Sequence, residues 1–285
     1  MSNAEHESLP FFKDALLAAG VLTAPRSGRL YHYTSEEGAR GILNQQVLWA
    51  TDAACFRDTS EYTFGLGLLD HALERIEAAG YGGLIRPWVK ELLADRGGWT
   101  LYVSCYCEDG NSEHQWRRYA DGGHGVVLGF DALEVSRKGA AALLRVSYGE
   151  NSVREVQARL TDWLISELDA RQSVRDEVLA TDAEGLLTAY LATMLLTVVA
   201  SKEEGYAQER EYRLVHLHHR SRPIDPAKLM RRVVDNREVR YVLLPLRGAE
   251  DGAPAVISIE PGPARSGEED ERRFRALAEL AGLAR

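Results

Sequence analysis

Cysteine is scarce in this sequence, and its spacing fits neither a disulfide framework nor a metal site. The three cysteines are Cys55, Cys105 and Cys107, so the count is odd and no Cys-x-x-Cys pair occurs. Small secreted domains depend on several paired cysteines in place of a large core. The scarcity therefore argues against a secreted disulfide scaffold and predicts a reducing, cytoplasmic location.

Positive charge and long apolar runs are also in short supply. The chain has 34 Lys and Arg residues against 43 Asp and Glu residues, a formal net charge of −9. Nucleic acids and anionic lipids attract basic surfaces, so this balance argues against both as general partners. The longest apolar stretch, 186–200, has about 15 residues, whereas a membrane span needs roughly 20. We expect a buried helix there and no contact with a membrane.

Several motifs of well-known enzyme classes are missing. No Gly-x-x-x-x-Gly-Lys loop and no Gly-x-Gly-x-x-Gly segment after a strand is present, which argues against a P-loop or a Rossmann nucleotide site. No Gly-x-Ser-x-Gly elbow is present for serine hydrolysis. His216, His218 and His219 cluster, but no further ligand stands at zinc-like spacing beside them. We therefore predict no metal site.

The residues that are present predict a mixed fold with a sizeable core. Hydrophobic residues make up 45% of the 285 positions. Strands and helices mix without strict alternation, which predicts one α+β domain over residues 1–285, with a split or mostly antiparallel sheet. We place its core at about 29–260, a helical insertion at about 150–200 and a C-terminal helix at about 268–282. The predicted strands lie at about 29–34, 47–51, 101–107, 125–130, 143–148, 209–217, 239–245 and 254–259, and the predicted helices at about 5–20, 36–45, 61–79, 84–95, 150–171, 174–200 and 268–282.

A Glu-x-Glu pair, Glu209 and Glu211, stands at the start of one predicted strand. Two carboxylates two residues apart on an extended backbone point to the same face. Such a pair stabilises a developing cation and accepts a proton, which suits chemistry at a sugar C1 that becomes oxocarbenium-like. The alternative is an ordinary charged strand start, in which Arg213 on the same face holds Glu211 in a salt bridge.

A second candidate group is the aromatic strand that contains His32, Tyr33 and Thr34. On a strand, His32 and Thr34 share one face and Tyr33 takes the other. A His beside a Thr at a strand end can hydrogen-bond a ribose diol. The alternative is a structural His that is bonded to the backbone.

A third candidate group combines Ser104 with a segment rich in aromatic and basic residues, which contains Trp116, Arg117 and Tyr119. Aromatic side chains interleaved with arginines suit stacking on a planar base and pairing with phosphate. The alternative is that the aromatic residues anchor a loop to the core. A polar segment, Phe56–Glu61, begins a predicted helix, and its residues, Asp58 and Glu61 among them, either contribute to a site or include only a helix cap at Ser60 or Asp58.

These segments occur in an order that resembles the DUF2971 family of bacterial proteins. That family has a Tyr-His-Tyr-Thr strand, a Leu-Trp-Ala-Thr strand, an Asn-Asp-Pro-x-Glu loop, a Trp-x-x-Tyr-Ala segment, a Gly-Val-x-x-Gly-Phe strand and a final Glu-x-Glu-Trp/Tyr-Arg. The resemblance covers about residues 29–217. This chain departs from the pattern in the third motif, with Arg57 in place of Asn and Thr59 in place of Pro. The matching residues are Tyr31–Thr34, Leu48–Thr51, Asp58, Glu61, Trp116, Tyr119, Ala120, Gly125–Phe130 and Glu209–Arg213.

The family is similar, more distantly, to ADP-ribosyltransferases, which cleave the nicotinamide–ribose bond of NAD and transfer ADP-ribose to a nucleophile. Those enzymes use a His or Arg on an early strand, a Ser or Tyr in the middle and a Glu at the start of a late strand. The matching residues here are His32, then Ser104 or Tyr119, then Glu211; no Ser-Thr-Ser is present. The resemblance implies an ADP-ribosyltransferase-like split sheet with NAD as its substrate.

The resemblance also implies roles for the candidate residues. His32 and Glu211 are the expected catalytic residues, with Glu209 handling the acceptor. The residues expected to hold NAD are His32, Tyr33, Thr34, Ser104, Trp116, Arg117 and Tyr119.

The biological setting that follows is a toxin or phage-defence effector with an unknown acceptor, a protein rather than a nucleic acid, and with an antitoxin or partner protein. Alternatives are an NAD glycohydrolase, a non-catalytic nucleotide-binding or interaction module, and a nuclease that uses His114 and His124.

Overall fold

The structure is a computed structural model, and it describes residues 11–22, 25, 27–56, 58, 60–139, 141–172, 179–221, 224, 228–247 and 255–283. The strands in these ranges are β1 Arg29–Thr34, β2 Val47–Asp52, β3 Trp99–Cys107, β4 Val126–Asp131, β5 Ala142–Arg145, β6 Ser147–Tyr148, β7 Ser201–Lys202, β8 Glu211–His219, β9 Leu229–Val234, β10 Arg237–Pro245 and β11 Val256–Pro261. The α-helices are α1 Phe12–Ala19, α2 Glu36–Gln45, α3 Ser60–Gly67, α4 Asp70–Ala78, α5 Gly82–Asp95, α6 Glu113–Tyr119, α7 Ala132–Gly139, α8 Glu150–Gln172, α9 Leu179–Val199 and α10 Glu268–Leu280.

Most predicted elements are present, with a few differences. The helix predicted over 61–79 divides into α3 and α4, and the strand predicted over 209–217 begins at Glu211. The strand predicted over 143–148 divides into β5 and β6, and the sequence did not predict α7 or the short strand β7. It also did not predict β9, whose apolar residues are interrupted by Arg231 and Arg232. Residues 5–10 and 174–178 of two predicted helices lie outside the described residues, as do Arg57 and Thr59.

The main sheet is antiparallel throughout, which confirms the predicted α+β class and the mostly antiparallel sheet. Its strand order is β11-β4-β1-β3-β2-β10-β9, with β8 paired to β3 and β5 paired to β8. The strands β6 and β7 form a separate parallel pair of two residues each. The predicted helical insertion corresponds to α8 and α9, which pack against each other.

The sheet branches at β3, because β1 and β2 pair with the same edge of that strand. Its other edge is paired with β8 along the whole strand. On the branching edge, Val103 pairs with Thr51 of β2, and Cys107 pairs with Tyr31 of β1. Within the described residues, the stretch between these two pairings has no ladder partner on this edge. We call this gap, which is centred on Cys105, the split.

Helices cover both faces of the sheet. We call the face that carries α1, α3, α4, α5, α8 and α9 the helical face; Val103 and Val215 are buried beneath these helices. The other face packs against α2, α7 and α10 around residues such as Tyr106, Phe130 and Tyr212. In the described part of the chain, no helix combines the length and apolar character that crossing a membrane requires.

Helix α3 is held close to the end of α9 by a glycine. A Cβ atom at Gly65 would lie 2.7 Å from the Val198 carbonyl oxygen and 2.8 Å from Val198 Cα. Both are backbone atoms and cannot rotate away. Helix α3 also carries Glu61, so this contact fixes where that carboxylate lies.

The substitution Gly65→Ala should therefore destabilise the fold. We expect a loss of about 1–3 kcal/mol in unfolding free energy, because overpacking at a backbone contact forces the helices apart. Gly67→Ala in the same helix is the matched control, since its Cβ would meet nothing within 4 Å. Urea denaturation of both variants checks this, and equal stability of the two would contradict the close contact.

Candidate functional site

The candidate residues gather beside the split, on the helical face. Cys105 of β3 lies opposite Arg213 of β8. On one side of the Cys105–Arg213 pair, Val103 and Val215 belong to the apolar core under the helices. On the other side, Cys107 belongs to a small apolar cluster under α6. A polar interval is therefore left between two apolar clusters, and the Cys105 side chain is exposed there.

The ammonium group of Lys202 lies at the centre of this interval. Its Nζ is 2.6 Å from Glu209 Oε2, 2.7 Å from Glu211 Oε2 and 3.4 Å from Glu61 Oε1. Lys202, Glu209 and Glu211 are buried, and Glu61 is half-buried. Removing charges from water costs several kcal/mol per ion, so each buried charge here depends on its partners.

The guanidinium group of Arg213 completes the arrangement. Its Nε donates to Glu211 Oε1 at 2.9 Å and its Nη2 to Glu211 Oε2 at 3.2 Å. Nη2 also donates to Glu61 Oε2. The salt bridge between Arg213 and Glu211, which the sequence suggested as an alternative, is therefore present. We call Glu61, Lys202, Glu209, Glu211 and Arg213 the charge cluster: three carboxylates and two cations.

The cluster shifts the ionisation of its members strongly. Burial alone would raise the pKa of Glu211, but Arg213 and Lys202 outweigh it and lower that pKa to about 2. Burial alone would lower the pKa of Lys202, but Glu211, Glu61 and Glu209 raise it well above its ordinary range. Glu211 and Lys202 are therefore both charged at neutral pH.

Local backbone features bring the cluster members together. Lys202 follows α9 directly and lies in β7, where it pairs with Tyr148 of β6. The Tyr148 hydroxyl accepts the backbone N–H of Glu211 at 2.7 Å. A 3₁₀ segment, Glu204–Glu209, precedes β8, and Arg210 between them is left-handed with φ 46°. Glu209 and Glu211 thus converge through a turn and not through strand alternation, so that part of the prediction was wrong.

Glu209 is held less tightly on one side. Its Oε2 meets Lys202, but its Oε1 has only long contacts in the described structure: Tyr119 Oη at 3.4 Å and His114 Nε2 at 3.6 Å. Gln208 Nε2 lies 3.4 Å from His114 Nδ1. An amide nitrogen donates, so Nδ1 accepts and Nε2 carries the proton. This buried Nε2 has no hydrogen-bond partner among the described residues.

His32 lies at the split but faces away from the carboxylates. Its Nδ1 is 2.9 Å from the Cys105 carbonyl oxygen, and because a carbonyl accepts, Nδ1 is the donor. The His32 ring thus donates to a carbonyl that would accept a backbone N–H if the strand ladder continued through Cys105. Burial lowers the pKa of His32, which favours the neutral ring. Its ring packs 5.9 Å from Tyr106, on the face opposite the helical face. His32 and the charge cluster therefore lie on opposite faces of the sheet, with the backbone of Cys105 between them.

Tyr33 and Trp116 have structural contacts that occupy their polar atoms. The Tyr33 hydroxyl donates to the Asp109 carbonyl at 2.7 Å and accepts the Ser112 N–H at 2.9 Å. The Trp116 ring is buried, packs edge-on at 4.8 Å against Tyr33, and its Nε1 donates to Asn111. Both rings therefore hold α6 against the sheet, as the alternative for this segment proposed.

The remaining predicted residues lie apart from the charge cluster, except Tyr119. Ser104 is buried on the face opposite Cys105, and the Thr34 hydroxyl lies against Gly38 of α2. Arg117 is 77% exposed and pairs with Glu113 of its own helix. Tyr119 is 43% exposed, and burial followed by the Glu209 charge raises its pKa to about 12. The structure thus brings together Tyr119, Glu209 and Glu211.

Comparison with known proteins gives one family. The model of a family described as "Protein of unknown function (DUF2971)" matches residues 115–214. The match spans 100 of the 285 residues and supports the expected relationship to that family. No curated protein and no solved structure matches the chain.

The matched region contains most of the site, including residues that the sequence did not single out. Lys202 is the central omission, and Tyr148 and the exposed Cys105 were also not assigned a role. The sequence did contain one indication that Lys202 is buried: it lies shortly after the end of a long apolar helix, where the backbone is still in the protein interior. Glu61 appeared in the family pattern without a role, and the structure supplies one. In the described residues, no three His, Cys, Asp or Glu side chains gather as metal ligands would.

Replacing Lys202 with methionine should strongly destabilise the protein at pH 7. The change leaves three carboxylates with one cation, and breaking a buried ion pair costs about 3–5 kcal/mol. Lys90→Met is the matched control, because Lys90 is exposed on α5. Urea denaturation at pH 7 measures the difference. A Lys202→Met variant as stable as the control would contradict the central role of Lys202.

The stability of the wild type should fall as the pH drops from about 4.5 towards 2. The pKa of Glu211 is about 2 in the folded protein against an ordinary 4.5, so its contribution is full above 4.5 and is lost on acidification. The shift corresponds to roughly 3 kcal/mol. Glu211→Gln lacks this part of the pH dependence, so its stability deficit should shrink towards pH 2. A deficit that stays constant with pH would contradict the assignment.

Proposed function

We propose that the protein is an NAD-consuming ADP-ribosyltransferase, which breaks the nicotinamide–ribose bond and passes ADP-ribose to a nucleophile. The observation that carries the proposal is the environment of Glu209. One oxygen of its carboxylate is fixed by Lys202, and the other faces Tyr119 and His114 through long contacts. A ribose hydroxyl that donates to Oε1 would replace those contacts with a shorter one.

The reaction needs a negative charge beside a carbon that becomes cationic. The bond between ribose C1′ and the nicotinamide nitrogen breaks, and its electron pair leaves with neutral nicotinamide. Glu209 then stabilises the oxocarbenium-like ribose electrostatically. The nucleophile forms a new bond at C1′ and its proton passes to the Glu209 carboxylate, which returns it to solvent.

The contacts favour Glu209 over Glu211 as the carboxylate that meets the substrate. Both oxygens of Glu211 already accept from Arg213, and Oε2 also meets Lys202. A carboxylate with this many donors is a weak acceptor for a further hydroxyl. We therefore assign Glu211 a positioning role, in which it orients Lys202 and through it Glu209.

Exposed residues around Glu209 supply binding contacts. The half-exposed ring of Tyr119 suits stacking on the nicotinamide. Arg118 lies with its Cζ 5.7 Å from that ring, so it is better placed than Arg117 for the diphosphate. With water as the nucleophile, the same site would be that of an NAD glycohydrolase.

One observation favours a non-catalytic nucleotide-binding module on the same fold. Glu211, Arg213 and Lys202 satisfy one another without any ligand. A network of this kind also arises where it only fixes the ends of α9 and β8. A measurement of NAD turnover distinguishes this candidate from the ADP-ribosyltransferase, because a binding module releases no nicotinamide.

The substitution Glu209→Gln should abolish nicotinamide release from NAD while the protein stays folded. The amide keeps an oxygen for Lys202 but lacks the charge that stabilises the oxocarbenium ion, so we expect a loss of at least about a hundredfold. Glu203→Gln is the matched control, because Glu203 is exposed six residues earlier. Nicotinamide is measured by chromatography and folding by thermal melting.

Labelled NAD identifies the acceptor class in the same assay. Label on protein indicates a transferase, and free ADP-ribose alone indicates a glycohydrolase. Wild-type protein that melts at a higher temperature with NAD but releases no nicotinamide, alone or with cell lysate, would contradict the enzyme and support the non-catalytic module.

A further inference from the structure

A stacked aromatic pair lies on the sheet near the split and has no role in the site described above. The rings of Trp49 in β2 and Tyr241 in β10 are stacked with centroids 4.7 Å apart and planes 29° apart. Tyr241 is buried, but Trp49 is 41% exposed. A large, partly exposed aromatic surface is a common feature of sites that bind planar ligands.

The strand register places Trp49 at the level of Cys105. Thr51 of β2 pairs with Val103 of β3, and Trp49 precedes Thr51 by two residues, so both point to the helical face. Continuing the same register brings Trp49 to the level of Cys105, where the ladder has already opened. Trp49 and Cys105 therefore lie on the two sides of the split, and Arg213 of the charge cluster is one strand further, opposite Cys105.

Arg232 of β9 lies beside the Trp49–Tyr241 pair and has a guanidinium N–H that could donate to a ligand. Its Cζ lies 5.0 Å from the Trp49 ring centroid and 5.5 Å from that of Tyr241. Its Nε is buried and has no hydrogen-bond partner within the described residues. A buried guanidinium N–H without an acceptor is costly, which points to an anion that supplies one.

The hairpin around Arg232 is basic, although the whole chain is acidic. The described residues 228–240 carry five cations against the carboxylates of Asp235 and Glu238, in a protein with a net charge of −9. The cations are Lys228, Arg231, Arg232, Arg237 and Arg240. Arg240 is paired with Asp52 of β2, but the other four cations still outnumber the two carboxylates, so the local field favours a negatively charged ligand.

We propose that Trp49 and Arg232 form a subsite for a nucleoside phosphate. The base extends the Trp49–Tyr241 stack, and a phosphate oxygen accepts from the Arg232 guanidinium. The inference rests on the proposed function in one respect: the ligand is the adenosine phosphate end of the dinucleotide whose nicotinamide end lies at Glu209.

The spacing of the strands supports this arrangement. Two strand intervals, from β8 through β3 to β2, separate Arg213 from Trp49, a distance of at least roughly 10 Å because the β2–β3 ladder has opened at this level. A dinucleotide is long enough to span it. Because the subsite is remote from the reacting bond, it should affect substrate binding and not the chemical step.

A structural explanation for the arginines is that they prevent the edge strand β9 from pairing with another chain. Arg231 fits that explanation, since its side chain is 63% exposed and pairs with Glu238 across the hairpin. Arg232 instead reaches across β10 to Trp49. The two neighbours therefore form a matched pair for a test.

The test is titration of AMP into the full chain by calorimetry. We expect wild-type protein to bind AMP, and Arg232→Met and Trp49→Leu each to weaken binding by roughly tenfold or more, the size of a lost charge-assisted hydrogen bond or base stack. Arg231→Met should bind as the wild type does. Melting temperatures of all variants show whether each is folded, so that a loss of AMP binding is not mistaken for a loss of structure.

Several results would overturn the subsite. One is wild-type protein that does not bind AMP. Another is equal weakening by Arg231→Met and Arg232→Met, which would indicate general attraction to a basic hairpin. Binding of a single-stranded oligothymidylate that both arginine variants weaken equally would assign the hairpin to nucleic acid instead.

Kinetics separate this inference from the proposed function. If the wild type turns NAD over and Arg232→Met raises KM without changing kcat, the proposed function and the subsite are both supported. If turnover occurs and KM is unchanged in Arg232→Met, the subsite fails and the function stands. If AMP binding depends on Arg232 but no nicotinamide is released, the subsite stands and the function fails.

Discussion

The arrangement of the site depends on one buried positive charge, the ammonium group of Lys202. A buried ammonium requires partners, and here three carboxylates from three different segments meet it. Glu61 comes from α3, Glu209 from the 3₁₀ segment and Glu211 from the first residue of β8. Arg213 then pairs with both Glu211 and Glu61. Attraction to two cations therefore fixes the ends of several elements in one place.

Within the described residues, the branching of the sheet leaves an unpaired edge of β3 next to this cluster. A continuous sheet would pair the edge of β3 along its length, but here β1 and β2 diverge and leave Cys105 exposed. His32 compensates with a side-chain hydrogen bond to the Cys105 carbonyl. In the proposed binding mode, the dinucleotide crosses this same gap between Trp49 and the carboxylates. The proposal thus places the ligand at the same residue whose carbonyl His32 stabilises.

The sequence predicted the local features well because they depend on local patterns. The antiparallel strands, the long helices α8 and α9 and the Glu-x-Glu pair with its Arg213 alternative were all visible. The long-range partners were not. Glu61 and Arg213 lie 152 residues apart in sequence, and no pattern in a single sequence shows that they meet. Lys202 was overlooked because a lysine after a helix is usually solvated.

The roles of the aromatic residues show the same limit. The motif with Trp116 suggested stacking on a ligand, but the ring packs on Tyr33 and its Nε1 is bonded to Asn111. The ring that is open, Trp49, belonged to a family motif to which no chemistry was assigned. Burial decides between these uses, and burial follows from the tertiary packing of α6.

The most direct measurement is a crystal structure with a non-hydrolysable NAD analogue. We predict that the nicotinamide ribose lies within hydrogen-bond distance of Glu209 Oε1, and that the adenine lies against Trp49 with the dinucleotide crossing the split at Cys105. An analogue bound elsewhere on the molecule, with the Glu209 contacts to Tyr119 and His114 unchanged, would contradict it.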